Sequence, residues 1–125
     1  MKITTFNPLI VTKEADAVIE LFEALGFEKT HSITVKEGDA DITSVRMKDA
    51  GGFHVDVAQA FKIPQDLTLI RMNVDDFDEA YEMLTAQGFK DPKGPGHTVE
   101  SKTNKSAMLV SPSGFAFDLC QHIKE

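Results

Sequence analysis

The sequence repeats itself at an offset of about half its length. Four pairs of matched residues stand 62 positions apart in the 125-residue chain: Gly26 and Gly88, Gly52 and Gly114, Phe53 and Phe115, and Asp56 and Asp118. A repeat of this length is typical of one supersecondary unit written twice. The chain is therefore predicted to fold as two similar units, each with an aspartate on its last strand.

The stretch from Ser111 to Gln121 is predicted to be a turn followed by the last strand of the second unit. Pro, Ser and Gly at 112–114 favour the turn. After it, large apolar residues alternate with small or charged ones, as in a half-buried strand. The apolar face (Phe115, Phe117, Leu119) is predicted to be buried, and the other face (Ala116, Asp118, Cys120) is left to line a site.

Each unit is predicted to contain a strand, a helix and three further strands. The predicted strands are Ile3–Val11, Thr30–Lys36, Ile42–Lys48 and Phe53–Ala58 in the first unit, and Leu67–Val74, Thr98–Thr103, Ser106–Val110 and the strand from Phe115 in the second. Glu37–Asp39 is predicted to be the hairpin turn of the first unit. The fold class is thus α+β, as a single domain over residues 1–125 with repeat units 1–60 and 66–125.

The two helices are predicted at residues 14–26 and 76–87 from their buried stripes and end signals. The first stripe is Val18, Leu21, Phe22 and Leu25, and the second is Phe77, Ala80, Tyr81 and Leu84. Thr12 is the expected N-cap of the first helix, and Asp75 or Asp76 that of the second.

The composition of the chain limits the kinds of partner that it is expected to bind. The formal net charge of −7 argues against nucleic acid and anionic membranes, which both reward clustered Lys and Arg. No apolar run approaches the ~20 residues that span a bilayer. Nothing at the N-terminus resembles a signal peptide, and a single cysteine fits a reducing compartment. A cytoplasmic location is therefore expected.

Several local patterns follow one another along the chain. They are the pattern from Val11 to Gly26-Phe27, the run Val74-Asp-Asp-Phe-Asp-Glu-Ala-Tyr81 with Gly88, and Ser111-Pro-Ser-Gly-Phe-Ala-Phe-Asp-Leu119 with its echo at Gly52–Val57. In their order and spacing they resemble the vicinal oxygen chelate superfamily, which includes glyoxalase I, extradiol dioxygenases and the bleomycin-resistance proteins. The resemblance covers nearly the whole chain. It implies a glyoxalase/bleomycin resistance-like fold, in which the two units form a cupped mixed sheet with helices outside, and in which two chains often pair as a homodimer.

The resemblance also implies where a metal ion would bind. Metal-dependent members place His, Gln or Glu on the first and last strand of each unit. Those positions are assigned to Phe6 and Leu69 on the first strands and to Asp56 and Asp118 on the last. Phe and Leu offer a cation no lone pair, so no metal and no cofactor is expected. The alternative is a divalent metal ion held by His54, Asp56 and Asp118.

Side-chain alternation selects the residues predicted to bind a ligand in the cup: Phe6, Arg46, His54, Asp56, Leu69, Arg71 and Asp118. Two roles remain open for Arg71, which could pair with a facing aspartate or clamp an anionic group of the ligand. His54 and Asp118 are the candidate catalytic residues, because a histidine beside a carboxylate can act as a general base.

Three functions remain in competition. The first is a metal-free protein that binds a small organic molecule, as the resemblance to bleomycin-resistance proteins implies. The second is a metal-dependent enzyme (a glyoxalase-type lyase, an isomerase or epimerase, or a dioxygenase), so whether the protein is an enzyme stays open. The third is a structural or regulatory dimer with an empty cup.

Overall fold

The computed structural model describes residues 1–37, 40–61, 63–92, 99–100 and 104–122. The first half contains β1 (Ile3–Thr12), α1 (Ala15–Ala24), β2 (Glu28–Glu37), β3 (Ala40–Lys48) and β4 (His54–Gln59). The second contains β5 (Leu67–Val74), α2 (Phe77–Ala86), β6 (Val99–Glu100), β7 (Asn104–Val110) and β8 (Ala116–His122). The predicted α+β class and the element order are confirmed. Gly38 and Asp39 of the predicted hairpin turn, and all but Val99 and Glu100 of the predicted strand 98–103, lie outside the described residues.

Both helices contain 10 residues. Within the described ranges, no helix has the length and apolar character needed to cross a lipid bilayer.

The chain forms two compact units. One, here called the first-half unit, is Asn7–Thr68, and the other, the second-half unit, combines Met1–Phe6 with Leu69–Glu125. Strand β1 is therefore divided between them. In the first-half unit the strand order is β2–β3–β4–β1, and in the second-half unit β6–β7–β8–β5 follows the same plan. In each unit the last two strands of that order are parallel and the other pairs antiparallel.

The strand register puts the two repeated aspartates in equivalent places. Asp56 lies between Leu9 of β1 and Arg46 of β3. Asp118 lies between Arg71 of β5 and Met108 of β7. Leu9 and Arg71, like Arg46 and Met108, are 62 residues apart. The sequence repeat is thus a structural repeat.

Each helix packs on one face of its own sheet. In the second-half unit the core cluster is Met72, Val74, Phe77, Ala80, Ala107, Leu109 and Leu119, with Tyr81 and Leu84 packed against it. The predicted stripe of α2 is therefore confirmed. Full burial of a side chain such as Phe77 stabilises the fold by roughly 1.5–3 kcal/mol.

The predicted stripe of α1 is half wrong. The buried residues are Ala15 and Ile19, with Val18 and Phe22 packed against the same cluster as Met47, Val55 and Val57. Leu21 and Leu25 are instead 55% and 64% exposed. The buried stripe keeps the i, i+3, i+4, i+7 spacing but starts at Ala15, and a small residue is easily overlooked as a core position.

The ends of α1 and α2 also differ from one another. Asp76 caps α2, because its Oδ1 accepts a hydrogen bond from the Glu79 amide at 3.1 Å, as predicted. The predicted cap of α1 is wrong: the N-cap is Glu14, and Thr12 Oγ1 accepts from the Glu14 amide, before the helix begins.

A glutamine at the end of the last strand anchors the start of the helix in both units. The Gln59 side chain accepts from the Ala15 amide at 3.3 Å and donates to the Lys13 carbonyl at 2.8 Å. Gln121, 62 residues later, accepts from Phe77 at 2.7 Å and donates to Asp75 at 3.0 Å. The amide of each glutamine satisfies one of the unpaired N–H groups of a helix N-terminus.

Phe115 departs from its predicted burial. It is 50% exposed, and its equivalent Phe53 is 71% exposed. Both residues immediately precede the strands that begin at Ala116 and His54. Side chains alternate between the two faces only within a strand. Phe53 and Phe115 lie before their strands begin, so the alternation does not predict their burial.

The glycines that end the helices supply a matched test of packing. Gly26 and Gly88 have φ of +104° and +96°, so alanine at either position is strained by about 1–2 kcal/mol. A Cβ on Gly26 meets nothing within 4 Å, whereas one on Gly88 lies 2.9 Å from Pro112 Cγ. In urea denaturation, Gly88→Ala is expected to lose about 1 kcal/mol more than Gly26→Ala. Equal losses would mean that Pro112 moves aside freely.

Candidate functional site

Apart from Phe6, the candidate residues lie on the sheet faces turned away from the helices. In β3 and β4 of the first-half unit, Met47, Val55 and Val57 pack in the cluster that contains α1 residues. Successive side chains of a strand point to opposite faces, so Arg46 and Asp56 point away from α1.

Arg46 and Asp56 form a two-point ion pair across β3 and β4. Arg46 Nε donates to Asp56 Oδ1 at 3.0 Å, and Nη2 donates to Oδ2 at 3.2 Å. Asp56 is 0% exposed and the Arg46 side chain 23% exposed. Paired donors of this kind bind a carboxylate strongly and fix its orientation, which compensates for removing the charge from water.

Asn7 completes this group and was missed by the sequence reasoning. It is 6% exposed, its Oδ1 accepts from Arg46 Nη2 at 3.2 Å, and its Nδ2 donates to the Pro8 carbonyl at 2.9 Å. The repeat could have found it, because an offset of 62 residues relates Leu69 to Asn7, whereas Phe6 lies 63 residues before Leu69.

Phe6 has different surroundings. It belongs to the second-half unit, is 58% exposed, and places its ring centroid 6.4 Å from that of Phe117 at an interplanar angle of 61°. Phe117 in turn contacts the rings of Phe89 and Phe115. Phe6 is thus part of a group of four phenylalanines.

The second-half unit has its own ion pair. Arg71 donates to Asp118 Oδ2 from Nε at 3.0 Å, and its Nη2 lies 2.9 Å from the same oxygen. Both side chains are about one-fifth exposed, at 19% and 18%. Of the two roles open to Arg71 in the sequence, the geometry is that of the partner to the aspartate.

The two units therefore balance equivalent aspartates from opposite sides. Asp56 receives its arginine from β3, and Asp118 receives it from β5. At the other neighbouring position each aspartate has an apolar residue, Leu9 or Met108. Both units thus pair the aspartate with an arginine, but the arginine lies on a different strand in each unit.

The other candidates lie beside these pairs. His54, at the start of β4, is half-buried and stands opposite Lys48 of β3. Leu69 is half-buried on β5. Cys120, two residues beyond Asp118, is 7% exposed.

Solved structures share this architecture. A glyoxalase/bleomycin resistance protein/dioxygenase superfamily member from Vibrio splendidus matches with a TM-score of 0.60 and 18% identity, over 96% of this chain and 99% of that one. A mutant of glyoxalase I from Zea mays matches with a TM-score of 0.68 and 15% identity, over 98% of this chain and 45% of that one. A protein from Staphylococcus aureus matches with a TM-score of 0.64 and 16% identity, over 98% and 100%.

The chain has the fold of these glyoxalase/bleomycin resistance-like structures. It spans less than half the length of the maize enzyme chain it matches. No family model matches the sequence, and no curated protein does. At these identities the likeness establishes the fold, while the function depends on the site itself.

The positions that the resemblance assigns to metal ligands hold residues that do not suit a metal ion. Phe6 and Leu69 carry no donor atom, and the carboxylates of Asp56 and Asp118 are bound to arginines. Asn7, which the repeat relates to Leu69, already accepts from Arg46 through its Oδ1. Among the described residues, no three His, Cys, Asp or Glu side chains come together as a possible metal site. A cation at either carboxylate would have to displace the guanidinium group bound there.

A double-mutant cycle tests the second ion pair. Arg71→Ala leaves the Asp118 carboxylate without its arginine and is expected to cost about 1–3 kcal/mol of unfolding free energy. Asp118→Asn removes that charge, so the loss in the double variant should be smaller than the sum of the single losses by at least about 0.5 kcal/mol. Thermal and urea unfolding of the four proteins gives the coupling energy. Strict additivity would contradict the observed contact.

Proposed function

We propose that the protein binds a small organic molecule without the help of a metal ion. The observation that carries the proposal is that both aspartates at the metal positions are neutralised by arginine side chains. The fold supplies the framework, and the built-in cations replace the role that a metal would have in balancing the carboxylates.

The second-half unit supports an apolar contribution to binding. On the face that carries Arg71 and Asp118, the register places Leu69 on β5, Met108 on β7 and Ala116 on β8. A surface of apolar side chains with a few converging polar groups is typical of small-molecule sites. Arg71 and Asp118 supply those polar groups, and His54, Arg46 and Asp56 supply them in the first-half unit.

We also propose that the protein acts as a cytoplasmic homodimer. Large apolar side chains remain exposed in both units, among them Leu21, Leu25, Phe53, Phe61 and Phe115. Exposed apolar surface favours association with a second copy. The single cysteine cannot form an internal disulfide, which favours a reducing compartment such as the cytoplasm.

The metal question has a direct test. Protein dialysed against a chelator is expected to keep its melting temperature and to contain far less than one equivalent of Zn, Ni, Fe or Mn by elemental analysis. One retained equivalent that is lost in Asp118→Asn and in His54→Gln would contradict the proposal. It would favour the alternative, a metal-dependent lyase, epimerase or dioxygenase that uses His54, Asp56 and Asp118.

Ligand binding is tested by thermal shift with a library of small molecules. A bound compound at 100 times its dissociation constant should stabilise the protein by about 2.7 kcal/mol. Hits should lose this effect when Leu69→Asp places a charge on the apolar face of β5. Gln65→Asp, at an exposed position in the segment before β5, is the matched control. A library without any hit would count against binding and favour a structural role.

The oligomeric state is checked by light scattering. A homodimer has twice the chain mass of 13.8 kDa at micromolar concentrations. A mass of one chain across that range would contradict the dimer, without bearing on ligand binding.

A further inference from the structure

Four nitrogen-bearing side chains share one face of the first-half unit. In the register of β2, β3 and β4, His31 stands opposite Arg46, and Lys48 stands opposite His54. Arg46 and Lys48 are two residues apart on β3 and therefore point to the same face. Met47, between them, is 0% exposed in the core with α1, which places the group on the face away from the helix.

Arg46 is held in place while part of it stays available. Its Nε and Nη2 donate to Asp56 and Asn7. A guanidinium has five N–H donors, and two of them are on Nη1. In the described part of the chain Nη1 donates to no side chain, and the arginine is 23% exposed. Asp56 and Asn7 thus fix the orientation of a guanidinium whose Nη1 edge can bind an oxygen atom.

The neighbouring side chains can reach a group bound at that edge. His31 and Lys48 are exposed, and His54 is half-buried. The acidic residues paired in register with Arg46 and Lys48 are Asp56, already bound to Arg46, and Glu28, which stands opposite Lys48. With neutral histidines, the formal charges of Arg46, Lys48, Asp56 and Glu28 cancel.

This balance selects the charge of the ligand. A single negative charge would gain hydrogen bonds from Arg46, Lys48 and the histidines at little electrostatic cost. A doubly charged phosphate would be repelled more strongly than a monoanion by the carboxylates of Asp56 and Glu28. The arrangement favours a monoanion with two oxygen acceptors.

We propose that the group formed by His31, Arg46, Lys48 and His54 binds the carboxylate of a small organic acid. The inference rests on the proposed binding function and names the chemical class of its ligand. A carboxylate accepts hydrogen bonds at both oxygens, which suits one edge of an arginine flanked by lysine and histidine donors.

The test compares benzoate with benzamide, which has the same ring and size but no charge. Binding is followed by amide NMR titration, since fragments of this size bind with dissociation constants on the order of 1 mM. Benzoate is expected to shift the amides of residues 44–48 and 54–58, and benzamide to shift them far less. Inorganic phosphate should bind more weakly than benzoate.

The variants spare Arg46, because its removal would leave Asp56 without its arginine. His31→Gln combined with Lys48→Met is expected to weaken benzoate binding by about tenfold. The control, Lys29→Met with His122→Gln, makes the same changes of residue type elsewhere. Lys29 stands opposite the core residue Met47, and His122 lies at the end of β8 in the second-half unit.

Each outcome bears on a different claim. If benzoate binding weakens equally in both double variants, the cause is the change in overall charge, and the inference is overturned. Benzamide binding as well as benzoate, or phosphate binding more tightly, would also overturn it while leaving the proposed binding function intact. If neither aromatic compound binds and the library of neutral and anionic compounds gives no hit, both proposals fail.

Discussion

The pairing of a buried carboxylate with an arginine is the interaction on which the site depends. Asp56 has no exposed surface, and an ionised carboxylate in such a place is costly unless it is bound by a cation and by hydrogen bonds. Arg46 meets this need with two nitrogens and is itself held by Asn7. The same contact that stabilises the sheet therefore sets the direction of the guanidinium, and the proposed ligand recognition depends on that direction.

The repeat shows which features the fold requires and which it allows to vary. Positive-φ glycines at helix ends, glutamines that anchor helix starts and aspartates on the last strands recur at the same offset in both units. The arginines do not. Each aspartate lies on a strand with a neighbour on either side. An arginine on either neighbouring strand can balance its charge. Each unit also keeps an apolar residue on the side without the arginine, and the two faces consequently differ in their polar groups.

Periodicity and repetition were sufficient to predict most of the fold, because the buried stripe of α2, the strands and the turn glycines follow local rules that a sequence displays directly. The wrong predictions concern residues whose burial depends on tertiary packing. The stripe of α1 begins at Ala15, and the orientation of the helix follows from the sheet beneath it. Phe115 has the residue type of a core position but lies in a turn. Phe6 was assigned in place of Asn7 through the family resemblance. The 62-residue offset relates Leu69 to Asn7 instead, and the contact with Arg46 places Asn7 beside Asp56.

In the proposed metal-free site, the available chemistry follows from the arginine side chains. A divalent ion polarises a bound oxygen strongly and lowers the pKa of a bound water, and a guanidinium, with one delocalised charge already shared with a carboxylate, does neither to the same degree. Arg46 can still form directional hydrogen bonds. Asp56 and Asn7 fix the plane of its guanidinium group, and the Nη1 edge is proposed to bind an acceptor. Directional hydrogen bonding without strong polarisation suits recognition more than bond cleavage. The proposed function is accordingly that of a protein that holds its ligand rather than one that transforms it.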